Sequence, residues 1–313
     1  MSGPHDINPK ISQDPDKIWA VANKRLPGRG LKRDEFLFRP PYVYSGGNVR
    51  IAYPGFLTWL KFVDPDRKGE DLDKKVSAYD LAKSQYEQRM LELLKQLREG
   101  KAGKKLDSSM IIMAEIDKAD GHLVTIRPSP WDQVRDNPGP SHQVDDSGLA
   151  AGYLSPGFLR AGSGSTIRIS PEALNDPPET SVYVADHILL HELTHAVFAS
   201  NGASKGKPLD PPWGEDQEFF AVQVENVYRS EKGLKKIRGS HDDPPVWWND
   251  TENLLDHKEF VPPVRILLVR FKGFIPGVFD KLADIPQAKA TYNPFRKYKE
   301  EEQAKAKATP PSP

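Results

Sequence analysis

The segment 186–202, DHILLHELTHAVFASNG, constrains the fold more than any other stretch of the chain, because it places two histidines four residues apart with a glutamate after the first. On a helix, residues four apart lie one turn apart on the same face, with about 6 Å between their Cβ atoms. The imidazoles of His191 and His195 can then reach one tetrahedral ion. The segment predicts a metal-binding helix with Glu192 beside the ion.

The residue types of this motif point to hydrolytic chemistry. The chain has no cysteine, so a metal would be held by His, Asp or Glu. Zinc lowers the pKa of a water that it holds to about 7, and the carboxylate of Glu192 is placed to hold and deprotonate that water. The motif predicts one Zn²⁺ per chain, with His191 and His195 as ligands and Glu192 as general base.

The limits of the motif helix and the class of its third ligand follow from neighbouring residues. Ser181 is the predicted N-cap, and Asn201-Gly202 predicts the end of the helix. The metzincin spacing H-E-x-x-H-x-x-G-x-x-H is excluded, because Phe198 and Asn201 stand where its glycine and third histidine would be. No methionine follows Met113 to form a Met-turn. The third ligand is therefore sought on a second helix.

The segment 214–233, GEDQEFFAVQVENVYRSEKG, predicts that second helix. Glu218 and Glu225 share one of its faces but lie about 10 Å apart along the axis at 1.5 Å per residue, so they cannot both bind one ion. Glu218 is favoured, because the small side chain of Ala221 allows the second helix to approach the first. Glu225 is the alternative ligand, or it holds a ligand histidine or pairs with Arg229.

Further candidates surround these two helices. Hydrolysis needs a donor for the developing oxyanion, and His241 is the first choice, with Tyr228 and Arg229 as alternatives. His187, one turn before the motif, is predicted to be a packed or hydrogen-bonded histidine. The aromatic stretch PPVWW at 244–248 is interpreted as core packing, with the wall of a substrate pocket as the alternative.

Composition divides the chain into four segments. Residues 1–75 are predicted to be an irregular Pro- and Gly-rich arm, and residues 76–250 the domain that carries the motif. Residues 251–295 are predicted to be a helical extension, and the charged, Pro-ending segment 296–313 a disordered tail.

Periodicity and turn residues predict the elements before the motif. A helix is expected over 77–98, with a capping box that starts at Ser77 and a stop at Gly100. Residues 108–116 and 122–129 are expected to form a β-hairpin. The Gly-, Pro- and Ser-rich stretch 134–165 predicts a loop, and STIRISPEAL (165–174) a strand that ends at Pro171.

The combination of LLHELTHA, NG and EFFAVQVENVYRSEKG resembles the gluzincin-type zinc metallopeptidases, especially short bacterial effector and toxin-associated metalloproteases. The resemblance covers about residues 80–245, with specific motifs only in 186–233. It implies that the histidine pair and Glu218 bind zinc and that Glu192 is the general base. The chain departs from the family at Val222, where a polar partner usually follows the third ligand by four residues.

The resemblance also implies a fold. We expect an α+β, zincin-like architecture that is mostly helical, with a small twisted sheet beside the motif helix. The strand at 165–174 would be the edge strand that pairs with an extended substrate by β-augmentation. The expected partner is a protein or peptide substrate, and the expected biological role is that of a delivered effector or toxin.

Two other functions fit the motif. The zinc could instead organise a non-catalytic binding or scaffold protein, although such a site has no use for Glu192 and usually closes its fourth coordination position. The site could also hydrolyse a non-peptide amide. Nucleic-acid binding is disfavoured, because 44 basic residues balance 44 acidic ones.

The two ends of the chain bear on localisation. MSGPHDINPK lacks the basic and apolar regions of a secretory signal peptide, and VRILLVRF near the C-terminus is too short and too basic to span a bilayer. We expect a chain without a membrane span that is cytoplasmic as synthesised. Export by a route that does not read a signal peptide is left open.

Overall fold

In the computed structural model, the described residues are 14–26, 30, 32–38, 40–63, 71–100, 103–119, 121–129, 141–144, 162–174, 184–204, 208–209, 213–241, 246–257 and 262–308. Their helices are α1 (Pro15–Arg25), α2 (Arg33–Leu37), α3 (Phe56–Val63), α4 (Leu72–Glu99), α5 (Asp107–Lys118), α6 (Ala185–Ser200), α7 (Asp216–Glu231), α8 (Val264–Phe274), α9 (Pro276–Ala283) and α10 (Pro294–Ala308). Their strands are β1 (Val43–Tyr44), β2 (Val49–Ile51), β3 (Val124–Arg127), β4 (Ser141–Val144), β5 (Ser165–Arg168), β6 (Lys236–Arg238) and β7 (Trp247–Asn249). The architecture is α+β and mostly helical with a small sheet, as the sequence predicted.

The larger sheet lies against the motif helix. Its strand order is β1-β2-β3-β5-β4, with β2, β3 and β5 parallel and the two outer strands antiparallel to their neighbours. Ile51, Ile126 and Ile167 lie side by side in the register and are fully buried. Helix α6 packs against β4 and β5. The sheet therefore supports the helix that carries the two histidines from one side.

The prediction that residues 165–174 form the edge strand is wrong. The segment is a strand, β5, which ends before Pro171, but it is paired on both sides, with β3 and with β4. The outer position belongs to β4, which lies inside the stretch 134–165 that was predicted to be a loop. The expectation failed because β4 is specified by its pairing with β5 and not by a local pattern of its own.

The predicted hairpin at 108–116 and 122–129 is half wrong. The second segment contains β3, but the first is helix α5, whose buried Ser109, Ile112, Met113 and Ile116 recur at helical spacing. The carboxylate of Glu231 accepts hydrogen bonds from the backbone N–H groups of Asp107 (2.7 Å) and Ser108 (3.0 Å), which satisfies donors of the first turn. This cap comes from a residue more than 120 positions away, so local sequence does not reveal it.

Helix α4 begins earlier than the capping box at Ser77 predicted. Its N-cap is Asp71, whose side chain accepts from the N–H of Asp73, while the hydroxyl of Ser77 donates inside the helix to the carbonyl of Asp73. The predicted stop at Gly100 is confirmed: its φ is +89°, and a Cβ there would lie 2.1 Å from the carbonyl oxygen of Lys104.

The prediction of an irregular N-terminal arm over 1–75 is wrong for the described residues. That segment supplies α1, α2, α3, the start of α4 and two strands of the larger sheet. Ile18, Phe36 and Phe56 from it are buried in the same hydrophobic cluster as residues of α6 and α7. Residues 1–13 lie outside the described part of the chain.

The prediction of a disordered tail over 296–313 is wrong as far as residue 308, because helix α10 runs from Pro294 to Ala308. Phe295 and Tyr298 are buried, and the guanidinium of Arg296 donates to the carbonyls of Ile285 (2.8 Å) and Ala290 (3.1 Å). These contacts anchor the helix against α8 and α9, which lie in the predicted helical extension. Residues 309–313 lie outside the described part. Within the described part, no helix combines the length and the apolar character that a membrane crossing needs.

Candidate metal centre

Helix α6 is buried on all sides, which fixes the position of the motif. Every residue from 185 to 199 is buried. The ring of Phe198 stacks on Phe220 of α7 (5.5 Å between centroids) and on Phe271 of α8 (5.4 Å). A helix that packs in every direction has little freedom to rotate or slide, so the two motif histidines are held in place.

The ends of α6 agree with the sequence at one terminus only. Asn201 is the C-cap and Gly202 adopts a φ of +62°, as predicted. The helix begins at Ala185 with Val184 as N-cap, which contributes no side-chain hydrogen bond, so the predicted N-cap at Ser181 is wrong. Ser181 itself lies outside the described residues.

Three side chains converge between α6 and α7. The Oε2 atom of Glu218 lies 3.0 Å from Nε2 of His191 and 3.2 Å from Nε2 of His195, and the two nitrogens are 3.3 Å apart. Among the described residues, these three form the one group of this kind whose ligand atoms are close enough to share a metal ion. The pair of histidines and the carboxylate therefore come together as the sequence predicted.

The spacing of these atoms matches a metal site. At zinc–ligand distances of about 2.0–2.1 Å, ligand atoms at the corners of a tetrahedron lie about 3.3 Å apart. The three separations observed here, 3.0, 3.2 and 3.3 Å, lie close to that value. Without a metal, both imidazoles can donate an Nε2–H to the same Glu218 oxygen as neutral tautomers, and one cation bound by all three atoms would take the place of those two protons. The residues fit a metal ion.

The pKa shifts of Glu218 and His191 also favour positive charge at the point where the three side chains meet. Burial alone raises the pKa of the Glu218 carboxyl, but His195 and His191 outweigh it and hold that pKa well below its usual range. Burial lowers the pKa of His191, but Glu218 and Glu225 raise it to about 9. Positive charge is therefore stabilised at this point, and a metal ion would supply it in place of protons.

Glu192 is close enough to the cluster for the charges of His191, His195 and Glu218 to act on the pKa of its carboxyl. Its side chain is nearly buried, with the residue 6% exposed. Burial raises the pKa of its carboxyl, and the neighbouring His191 and His195 oppose that shift. A carboxylate with a raised pKa accepts a proton more readily near neutral pH than an ordinary one.

Glu225 contacts the back of His191 and is not a member of the converging group. Its Oε2 atom lies 3.7 Å from Nδ1 of His191 and 2.9 Å from Nη1 of Arg238. The sequence offered two other roles for Glu225, which were to hold a ligand histidine or to pair with Arg229. The structure favours the first. Its ion pair is formed with Arg238, and Arg229 donates elsewhere, to the carbonyl of Lys236.

His187 is a hydrogen-bonded core histidine, as predicted. Its ring is fully buried, with Nδ1 2.8 Å from Nη1 of Arg229 and Nε2 3.2 Å from Nζ of Lys232. Tyr228 donates its hydroxyl to Asp186 (2.8 Å). Tyr228 and Arg229, the two alternative oxyanion donors, are thus engaged one turn away from the converging group.

His241 lies at the open side of the cluster. Its Nε2 atom is 3.0 Å from Oε2 of Glu218, and its ring stacks on that of His191 with 5.5 Å between centroids. The side chain is 42% exposed. Burial lowers the pKa of this imidazole, and the charge of Glu218 opposes the shift. Of the three proposed oxyanion donors, His241 is the one that contacts the cluster.

The tryptophans of the 244–248 stretch pack against the protein. The ring of Trp248 stacks on His257 (4.5 Å between centroids) and covers Gly239, and the guanidinium of Arg229 lies 4.7 Å above the ring of Trp247. The structure thus favours packing over a pocket wall for these two rings. Residues 244 and 245 lie outside the described part.

Sequence reasoning missed Arg238, Asp186 and Lys232. Asp186 and Lys232 form an ion pair of 3.1 Å across 46 positions of sequence, and Arg238 reaches Glu225 across 13. No local spacing marks these pairs. Only Asp186 carries a sequence signal, because it stands at the start of a largely apolar helix, where a buried charge needs a partner.

Comparisons with known protein families, with curated proteins and with solved structures found no match. The functional assignment therefore rests on the geometry and chemistry of the site.

Proposed function

We propose that the chain is a zinc-dependent metallopeptidase with a zincin-like fold, in which His191, His195 and Glu218 hold one zinc ion and Glu192 is the general base. The observation that carries the proposal is the convergence of two Nε2 atoms and one carboxylate oxygen at tetrahedral spacing. A purely structural zinc site would have no use for a nearly buried carboxylate directly after its first histidine.

Zinc, when bound, supplies a Lewis acid that polarises the scissile carbonyl and makes water more acidic. The carboxylate of Glu192 accepts the proton of the attacking water and delivers it to the nitrogen of the leaving amine. His241, which contacts Glu218 from the open side, donates a hydrogen bond from its ring to the oxygen on which negative charge develops. The chain thus provides a base, an acid and an oxyanion donor around one point.

A peptide is the proposed substrate, because the sheet offers a strand for it beside the motif helix. Strand β4 is the outer strand of the larger sheet and packs against α6. An extended peptide can add to such a strand through main-chain hydrogen bonds, which position it without requiring a particular sequence. We therefore assign to β4 the pairing with an extended substrate that the resemblance implied for β5.

Delivery as an effector or toxin that acts on proteins of foreign cells is the biological role that we propose on the resemblance alone. Purified protein introduced into foreign cells should impair them, whereas the Glu192→Gln variant should not. Equal effects of the two forms, or no effect of either, would contradict this role and leave the chemistry of the site unaffected.

The test of the chemistry starts with metal content. Elemental analysis of purified protein should give one zinc per chain, which the Glu218→Gln variant loses. Glu215→Gln is the matched control, because it removes an exposed carboxylate three residues earlier, at the N-cap of the same helix. No zinc in the wild-type protein would overturn the proposal at its first step.

The second part of the test is hydrolysis of a library of fluorescence-quenched peptides. Glu192→Gln should keep its zinc and lose about 10²–10⁴-fold in rate. Removal of the metal with a chelator should abolish the activity, and zinc should restore it. Zinc binding without hydrolysis of any peptide or acyl amide would establish the scaffold alternative, and cleavage of acyl amides alone would establish the non-peptide alternative.

A further inference from the structure

The carboxylate of Glu225 is buried behind the ligand His191, and one cation compensates it. The residue is 1% exposed, and its Oε2 atom lies between Nη1 of Arg238 at 2.9 Å and Nδ1 of His191 at 3.7 Å. A buried carboxylate is tolerated when a charged partner accompanies it. Arg238 is that partner, and it fixes the direction in which the carboxylate faces.

The position of Arg238 is itself fixed by the neighbour of Glu225 on α7. Asn226 accepts a hydrogen bond from the backbone N–H of Arg238 (2.7 Å) and donates one to its carbonyl (2.8 Å). Arg238 also pairs with Trp247 in the two-stranded sheet. Consecutive residues of α7 therefore hold the main chain and the side chain of Arg238, so its guanidinium has a rigid support.

The Nδ1 atom of His191 is buried, and none of the residues that the structure describes offers it a partner within hydrogen-bond distance. The separation of 3.7 Å from Glu225 exceeds the usual 2.7–3.2 Å of a hydrogen bond, so that a small movement of either side chain would close it. A ligand histidine almost always donates its second N–H to a carboxylate, a carbonyl or water, which sets the tautomer. Glu225 is the carboxylate that faces this N–H.

We propose that Arg238 and Glu225 act as a positioning pair for the metal centre: Arg238 orients Glu225, and Glu225 accepts the Nδ1–H of His191, so that the Nε2 lone pair faces the ion. The pair replaces the polar partner expected at position 222, where a fully buried valine stands. The proposal rests on the metal centre proposed above, and neither residue touches the substrate in it.

The first experiment measures zinc affinity by competition with a chromophoric chelator, using the full chain. Arg238→Met and Glu225→Gln should weaken binding about 10–100-fold, as loss of such partners does in other zinc proteins. Arg238→Lys keeps the positive charge and should restore most of the affinity. Lys236→Met is the matched control, because it removes an exposed cation of the same strand, and its affinity should equal that of the wild type.

These outcomes separate the two proposals. If the wild-type protein binds no zinc, both fail. If it binds one zinc per chain, and the folded Arg238→Met and Glu225→Gln variants bind it as tightly, the positioning pair is refuted while the metal centre stands. Weaker binding by Glu225→Gln together with unchanged binding by the folded Arg238→Met would refute the part of Arg238 and leave that of Glu225.

A second measurement does not depend on the variants folding. In the zinc-loaded wild-type protein with ¹⁵N-labelled histidine, His191 should show an Nδ1–H proton that is shifted downfield and exchanges slowly with water. That proton should move or exchange faster in Arg238→Met but not in Lys236→Met. Absence of such a signal from the wild type would overturn the proposal, since an Nδ1 without a proton cannot donate to Glu225.

Discussion

Two parts of the α6–α7 interface, one helical turn apart, contain similar polar residues but differ in where their positive charge comes from. In the N-terminal seam, Lys232 and Arg229 place positive charge beside Asp186 and His187. The other part, the cluster, instead gathers two histidine nitrogens around one carboxylate oxygen. The seam consists of Asp186, His187, Tyr228, Arg229 and Lys232, and the cluster of His191, His195 and Glu218.

In the seam, donors of the chain itself surround one carboxylate oxygen and a buried histidine. The Oδ2 atom of Asp186 accepts from Gln96 (2.9 Å), Tyr228 (2.8 Å) and Lys232 (3.1 Å), and Arg229 lies 2.8 Å from Nδ1 of His187. Lysine and arginine of the chain thus supply the positive charge of this network. The comparison teaches that a buried group of histidines and acids indicates a ligand when the group contains no lysine or arginine of its own, and not simply because its members are close together.

The largest expected effect is a loss of stability from the seam. Asp186→Asn removes the anion that compensates the mostly buried Lys232, and breaking a buried pair in this way costs about 3–5 kcal/mol of unfolding free energy. Chemical denaturation should show this loss equally with and without zinc, and zinc stoichiometry should be unchanged in the folded protein. A loss of zinc from this variant would show that the two parts are not independent.

The next effect is a stabilisation by zinc, which should depend on the cluster and not on the seam. A ligand that binds the folded state alone adds about 2.7 kcal/mol to its stability at a free concentration 100 times its Kd. Zinc should therefore raise the unfolding free energy of the wild type and of Glu215→Gln, but not that of Glu218→Gln. Thermal denaturation across a zinc titration measures this. Equal stabilisation of Glu218→Gln would contradict Glu218 as a ligand.

The sequence predicted the cluster because its spacing encodes its chemistry. His191, His195 and Glu192 are recognisable at any position of the chain, and the helix that they require is the one observed. Glu218 was favoured over Glu225 by the approach of two helices, and the structure brings Glu218 to the histidines. Local spacing and helix geometry were sufficient for these residues.

The seam and much of the fold could not be predicted in the same way. Lys232, Asp186 and Arg238 acquire their roles through contacts between distant segments. The apolar run in α5 suits a strand as well as a helix, and the cap from Glu231 that supports the helix lies far along the chain. The strand β4 stands in a Gly-, Pro- and Ser-rich stretch and exists through its pairing with β5. Tertiary contacts decided these elements.

A smaller effect concerns the pH dependence of the seam. Burial lowers the pKa of His187 to about 4, assisted by Lys232 and Arg229 and opposed by Asp186 and Glu225. Between about pH 6.5 and 4 the unfolded chain then binds a proton that the folded chain does not, so stability falls as the pH falls through this window. His187→Gln should remove a slope of about 1.4 kcal/mol per pH unit within this window. Unfolding of metal-free protein at several pH values measures the difference, and an unchanged slope would mean that His187 is protonated in the folded state.

The smallest effect tests how far the seam is over-determined. Tyr228→Phe removes one of the three donors to Oδ2 of Asp186 and leaves those of Gln96 and Lys232 in place. Because the acceptor keeps two partners and the ring keeps its packing, the loss should be about 1 kcal/mol of unfolding free energy, the contribution of a single hydrogen bond. Denaturation in urea with an unchanged m-value measures it. A loss of 3 kcal/mol or more of unfolding free energy would mean that the three donors act cooperatively. The seam would then behave as one unit, as the cluster would with an ion bound to all three of its residues.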